Sequence, residues 1–103
     1  MTFRNRRLLD LSHEAPCFAS FRHLCSGHLG CEPAHSDSQI YGRGVGHKSA
    51  DWAVAFMCHN AHRMISAIIN PPFEREQKQA EWLLAHVRTM NWLWENGKLR
   101  VAA

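Results

Sequence analysis

Histidine and cysteine are the residues whose number and placement in this chain bear on chemistry. Of eight histidines, seven fall between His13 and His62, and all four cysteines fall between Cys17 and Cys58. Every cysteine and every histidine except His86 therefore sits in the first two thirds of the chain. Four short patterns follow one another: Cys17-x7-Cys25, Ala34-His35, Lys48-Ser49-Ala50-Asp51, and Cys58-His59-Asn60-Ala61-His62. Each is common by chance; their order carries the information. A neutral imidazole has a pKa near working pH, so His35 suits the removal of a proton from an attacking water. A divalent ion held by His62 stabilises the charge that builds on a phosphate and its leaving oxygen. Asp51 is placed to orient the base. Together these roles describe the hydrolysis of a phosphodiester.

Such a site needs a hairpin to present the base and a following helix to present the metal ligand. Residues 13–34, rich in Cys, His, Gly and Pro, read as loop held by something other than an apolar face. Residues 35–50 are polar and carry Gly42, Gly44 and Gly46, which suggests a loop close to a phosphate backbone. Arg43, His47 and Lys48 in that loop are candidate phosphate contacts, and Tyr41 can stack on a base or pack beneath the loop. Residues 52–57 form an apolar run suited to a buried strand. Residues 60–69 then read as a helix that Asn70-Pro71-Pro72 ends. The spacing of Ala80, Leu83, Leu84, Val87, Met90 and Trp94 predicts a long helix over 73–96, with Glu74 and Glu76 at its positive end and Gly97 at its stop. A terminal strand is expected over Lys98–Val101. Trp82, Trp92 and Trp94 are expected as core residues or as contacts of a homodimer.

The whole of this resembles the prophage-encoded nucleases of the HNH superfamily over residues 17–63. The residues carrying the resemblance are Cys17-x7-Cys25, Ala34-His35, Gly44 to Asp51, and Cys58-x3-His62. It implies an α+β fold: a small ββα-metal or treble-clef finger with a zinc knuckle, followed by a long C-terminal helix. It also implies metal-dependent cleavage of DNA, in phage recombination or replication, inside the bacterial host cell. By that match His35 takes the role of the first histidine, Asp51 stands at the middle asparagine, and His62 takes the role of the last histidine. Two positions depart from the pattern. Ala34 stands where many relatives have an acidic metal ligand, which leaves His62 with Asp37 or His59 for a weakly held Mg²⁺, Mn²⁺ or Ni²⁺. Ala61 stands where a fourth zinc thiolate is usual. Cys17, Cys25 and Cys58 then need Cys31, or His59, to complete the structural Zn²⁺ site, Cys31 being preferred because it makes the four cysteines one set. The alternative is that the cysteines are buried thiols without metal.

Composition sets the remaining bounds. A chain of 103 residues supports one modest core. The expected division is a basic, solvated arm over 1–12, carrying Arg4, Arg6 and Arg7, and a single domain over 13–103 with its ββα core at about 31–70. A hydrophobic fraction of 46% argues against disorder, and a net charge of +3 fits a polyanionic partner without requiring one. No run is long enough for a membrane span, and the opening residues lack the apolar stretch of a signal peptide. A cytoplasmic location follows as an expectation, in which thiols stay reduced and cysteines serve metals better than disulfides. The competing function is a non-catalytic zinc-binding module that recognises nucleic acid or protein.

Overall fold

A computed structural model describes residues 3–26, 31–37 and 49–102. The loop contacts expected of Tyr41, Arg43, His47 and Lys48, the glycines around them, and His28 lie outside the described residues. Two strands, β1 (Cys31–His35) and β2 (Val54–Cys58), pair antiparallel, with Cys31 opposite Cys58 and His35 opposite Val54. All five residues of β2 are buried. Val54 and Phe56 pack with Leu8, Ala15 and Leu93, while Ala55 and Met57 pack with Ala34, Ala61, Ile65, Trp82 and Ala85. Both faces of the strand are covered. This explains why its sequence is a continuous apolar run rather than an alternation.

The helix α2 (His59–Ser66) starts directly after β2, with Cys58 as its N-cap. It ends at Ser66, earlier than expected, and Asn70 with φ 48° turns the chain before the two prolines. The long helix α3 (Arg75–Glu95) stops as its sequence predicts. Gly97 adopts φ 67°, the Gly97 amide bonds Trp94 O at 3.2 Å, and the Lys98 amide bonds Leu93 O at 2.9 Å. The terminal strand expected over Lys98–Val101 is not formed, because its first amide already closes the end of α3.

The periodic stripe of α3 turns out to be its outer side. Leu83, Leu84, Val87 and Trp94 are exposed, and Trp82, Ala85, Thr89 and Leu93 are buried. Both sets satisfy helical spacing. The sheet selects the second because Thr89 Oγ1 accepts the Phe56 amide hydrogen at 2.9 Å while donating to Ala85 O at 2.8 Å. The Phe18 amide bonds Phe56 O at 3.0 Å, so the outer edge of β2 is satisfied on both counts there. Because the Phe56 amide points away from β1, its partner Pro33 loses no ladder bond by lacking a hydrogen. Trp82 and Trp92, expected as core residues or dimer contacts, pack against the interior of the chain. Trp82 donates to Ala34 O at 2.9 Å and stacks on His86, and Trp92 lies against Phe18 and Phe56.

The N-terminal stretch is not a free arm. Residues Arg6–Asp10 form a short helix, α1, capped by the Asn5 side chain and followed by a 3-10 turn over Leu11–Glu14. Leu8 is buried against Phe56 and Leu93, which ties this segment to the core. Among the described residues, no helix is long and apolar enough to cross a membrane.

Candidate metal centre and active site

Residues 17–25 fold back onto the junction of β2 and α2. There the ligand atoms of Cys17, His23, Cys25 and Cys58 all lie within 4.8 Å of one another. His23 Nδ1 is 2.7 Å from Phe21 O. A carbonyl only accepts, so Nδ1 carries the hydrogen and Nε2 presents its lone pair, 3.6 Å from Cys17 Sγ. The Phe21 ring lies 5.3 Å from the imidazole and 5.0 Å from Phe73, which backs the ring on its apolar side. The Cys58 amide donates to Cys17 Sγ at 3.2 Å and the Ala61 amide donates to Cys58 Sγ at 3.4 Å. Burial works against ionisation of Cys58, but the hydrogen bonds from Ser26, Ala61 and Cys17 outweigh it and bring the thiol down to about 6. Burial, together with the negative charge of Cys58, pushes Cys17 up.

This donor set, three sulfurs and one imidazole with its second nitrogen anchored, fits Zn²⁺. Cys31, the preferred fourth ligand on sequence, is not in the group. It is buried opposite Cys58 in the sheet, and burial plus the nearby charges of Cys17, Cys58 and Cys25 push it up to about 12. His23 stands in the fourth place instead. His59, the other candidate, points to Glu32. The sequence did contain a signal: His23 lies two residues before Cys25, inside the Cys17-x7-Cys25 knuckle rather than elsewhere in the chain.

Strand β1 carries two further groups. At its end, His35 Nε2 is 2.9 Å from Asp51 Oδ1. Asp51 is buried in the turn before β2, and its Oδ2 accepts the Asn5 amide at 2.7 Å. Burial opposes its ionisation, but the bonds from His35, Asn5 and Arg4 prevail and hold the carboxyl below its ordinary value. A carboxylate accepts only, so His35 Nε2 carries the hydrogen and Nδ1 is left as the basic nitrogen.

Three residues earlier, Glu32 Oε1 is 2.6 Å from His62 Nδ1 and 3.3 Å from His59 Nδ1. Burial resists ionisation of Glu32 as well, and bonds to the two histidines overcome it, keeping the carboxyl below its ordinary range. His59 and His62 are three apart on α2 and share the face that meets β1. The structure thus places His35 with Asp51, and His62 with Glu32 and His59, as two hydrogen-bonded groups on one strand. Asp37, considered beside His62, is instead ion-paired with Lys78. Glu32 lies two residues before Ala34 and on the same face of β1 by the two-residue repeat of a strand. Comparison with known proteins gives no relative to set beside this geometry: no family model, no curated protein and no solved structure matches the chain.

Proposed function

We propose that the chain is a small metal-dependent endonuclease of the HNH type that hydrolyses DNA phosphodiester bonds, in phage or prophage recombination or replication. One observation carries the reading. A single five-residue strand offers a carboxylate-anchored base, His35 on Asp51, and a carboxylate, Glu32, that meets His62 from the next helix. Asp51 holds the His35 ring through Nε2, so Nδ1 takes the proton from a water attacking phosphorus. As that proton arrives, the nearby carboxylate stabilises the imidazolium. Glu32 and His62, with His59 beside them, are the oxygen and nitrogen donors for a divalent ion of the Mg²⁺, Mn²⁺ or Ni²⁺ kind. When bound, such an ion supplies charge stabilisation at the phosphate. The Cys17, His23, Cys25 and Cys58 centre has a separate task. It clamps the 17–25 loop to the start of α2 and so fixes His59 and His62 against β1.

The test is plasmid nicking by zinc-loaded protein with each divalent ion in turn. Wild type is expected to nick, His35→Ala to lose the activity, and Glu32→Gln to need more divalent ion while retaining its zinc. Equal nicking by wild type and His35→Ala under every ion overturns the proposal. A second reading, a zinc-binding module without catalysis, is favoured by the placement of His35 and His62 in different groups. It requires DNA binding that survives His35→Ala and needs no added divalent ion.

A further inference from the structure

The segment just before α1 is stitched to the turn that carries Asp51. The Asp51 amide donates to Phe3 O at 3.0 Å, and the Asn5 amide donates to Asp51 Oδ2 at 2.7 Å. Arg4 Nη1 donates to Ser49 O at 2.6 Å and to Asp51 Oδ1 at 3.2 Å. His35 Nε2 shares that same Oδ1. Each oxygen of the carboxylate is therefore claimed from a fixed direction. With His35 alone as partner, the carboxylate would turn about its own axis and exchange oxygens freely. With the Asn5 amide on one oxygen and the guanidinium on the other, rotation breaks at least two charge-assisted bonds at once.

We infer that Arg4, acting with the Asn5 amide, is a positioning residue that fixes the Asp51 carboxylate and through it the tautomer and ring direction of His35. The Arg4 side chain is 45% exposed, and without it the buried Asp51 carboxylate still keeps its bonds from the Asn5 amide and from His35 Nε2. Its removal should therefore leave the fold in place while loosening the dyad. A residue that merely braced the fold would behave in the opposite way. The consequence for catalysis rests on the nuclease reading; the consequence for the imidazole does not.

The experiment uses the full-length, zinc-loaded chain with ¹⁵N-labelled histidine, studied by two-bond ¹H–¹⁵N correlation where the imidazole is neutral. His35 of the wild type is expected as a single Nε2–H tautomer. Arg4→Ala is expected to show a mixture of tautomers at His35, with other amide shifts close to wild type. Arg4→Lys keeps the charge without the planar guanidinium, whose Nη1 reaches both Ser49 O and Asp51 Oδ1, and should recover part of the Nε2–H population. In plasmid nicking, Arg4→Ala should lower kcat about tenfold or more with little change in KM. An unchanged His35 tautomer in Arg4→Ala overturns the inference. Loss of the folded spectrum does so too, because it makes Arg4 structural. A raised KM with unaltered kcat and tautomer would assign Arg4 to phosphate binding instead. If the tautomer shifts but neither protein nicks DNA, the positioning role stands and the nuclease reading falls.

Discussion

Replacing Thr89 by valine removes one oxygen on which the middle of β2 depends. The two side chains have nearly the same shape, and Thr89 is fully buried, so the change leaves no large cavity. What it removes is the acceptor for the Phe56 amide, which bonds Thr89 Oγ1 at 2.9 Å and faces away from β1. Ala85 O loses a second hydrogen bond as well. A buried donor left unsatisfied costs about 1–3 kcal/mol, more than a hydrogen bond contributes on balance, because water cannot replace the partner. Unfolding entropy of about 2.1 cal/mol/K per residue gives about 0.2 kcal/mol/K for a chain of 103 residues. The expected fall in Tm is then about 5–14 °C at unchanged zinc content. Thr89→Ser keeps the oxygen and should lose much less. Thermal unfolding by circular dichroism measures the shift, and hydrogen exchange at the Phe56 amide locates it. A Tm for Thr89→Val within about 2 °C of wild type, with Phe56 still protected, would refute the argument that α3 closes this edge through one hydroxyl.

Three further outcomes are expected. His23→Ala and Cys25→Ala should each bind zinc below one ion per chain by elemental analysis, and a chelator should lower the Tm of wild type more than that of either variant, because metal binding to the folded state is folding free energy. Asp51 ionises more readily folded than unfolded, so its contribution to stability is complete above about pH 4 and fades as pH falls through its lowered folded value; an acid titration of unfolding should show a steeper loss in wild type than in Asp51→Asn. On α3, Leu93→Ala should cost about 2–5 kcal/mol in denaturant unfolding, whereas Val87→Lys should stay within about 0.5 kcal/mol, since only the first side chain is in the core.

Much of the scaffold was legible in the sequence, and the reasons are local. Gly97 announces a left-handed stop that any long helix can use, and the run 52–57 is apolar enough to be a buried strand whatever surrounds it. The hidden parts depend on partners distant in sequence. Nothing in α3 itself says that Thr89 rather than Leu83 faces the sheet, because the decision lies with the Phe56 amide. A polar residue on an apolar face lowers the periodic signal there, so the outer stripe looked stronger. The candidate metal centre was half legible: Cys17, Cys25 and Cys58 are visible as a set, but His23 competes with seven other histidines until the loop is folded. Glu32 is inconspicuous in the sequence because it is not adjacent to His35, and only the pairing of β1 with β2 and α2 brings it to His62. The short N-terminal helix is masked by its exposed arginines, because only Leu8 and the half-buried Leu9 of its five residues pack on the core.

The pairing of β1 with β2 has one more implication. Glu32 and His35 sit at alternate-parity positions of one strand, opposite Met57 and Val54. Sliding β1 by a single residue would turn both side chains to the wrong sides together and drive a carboxylate toward Phe56 and Leu93. Misaligned molecules would thus spoil the apolar core and break the His35–Asp51 and Glu32–His62 contacts in the same stroke. For this hairpin, a well-packed core and the two polar groups enforce one and the same alignment.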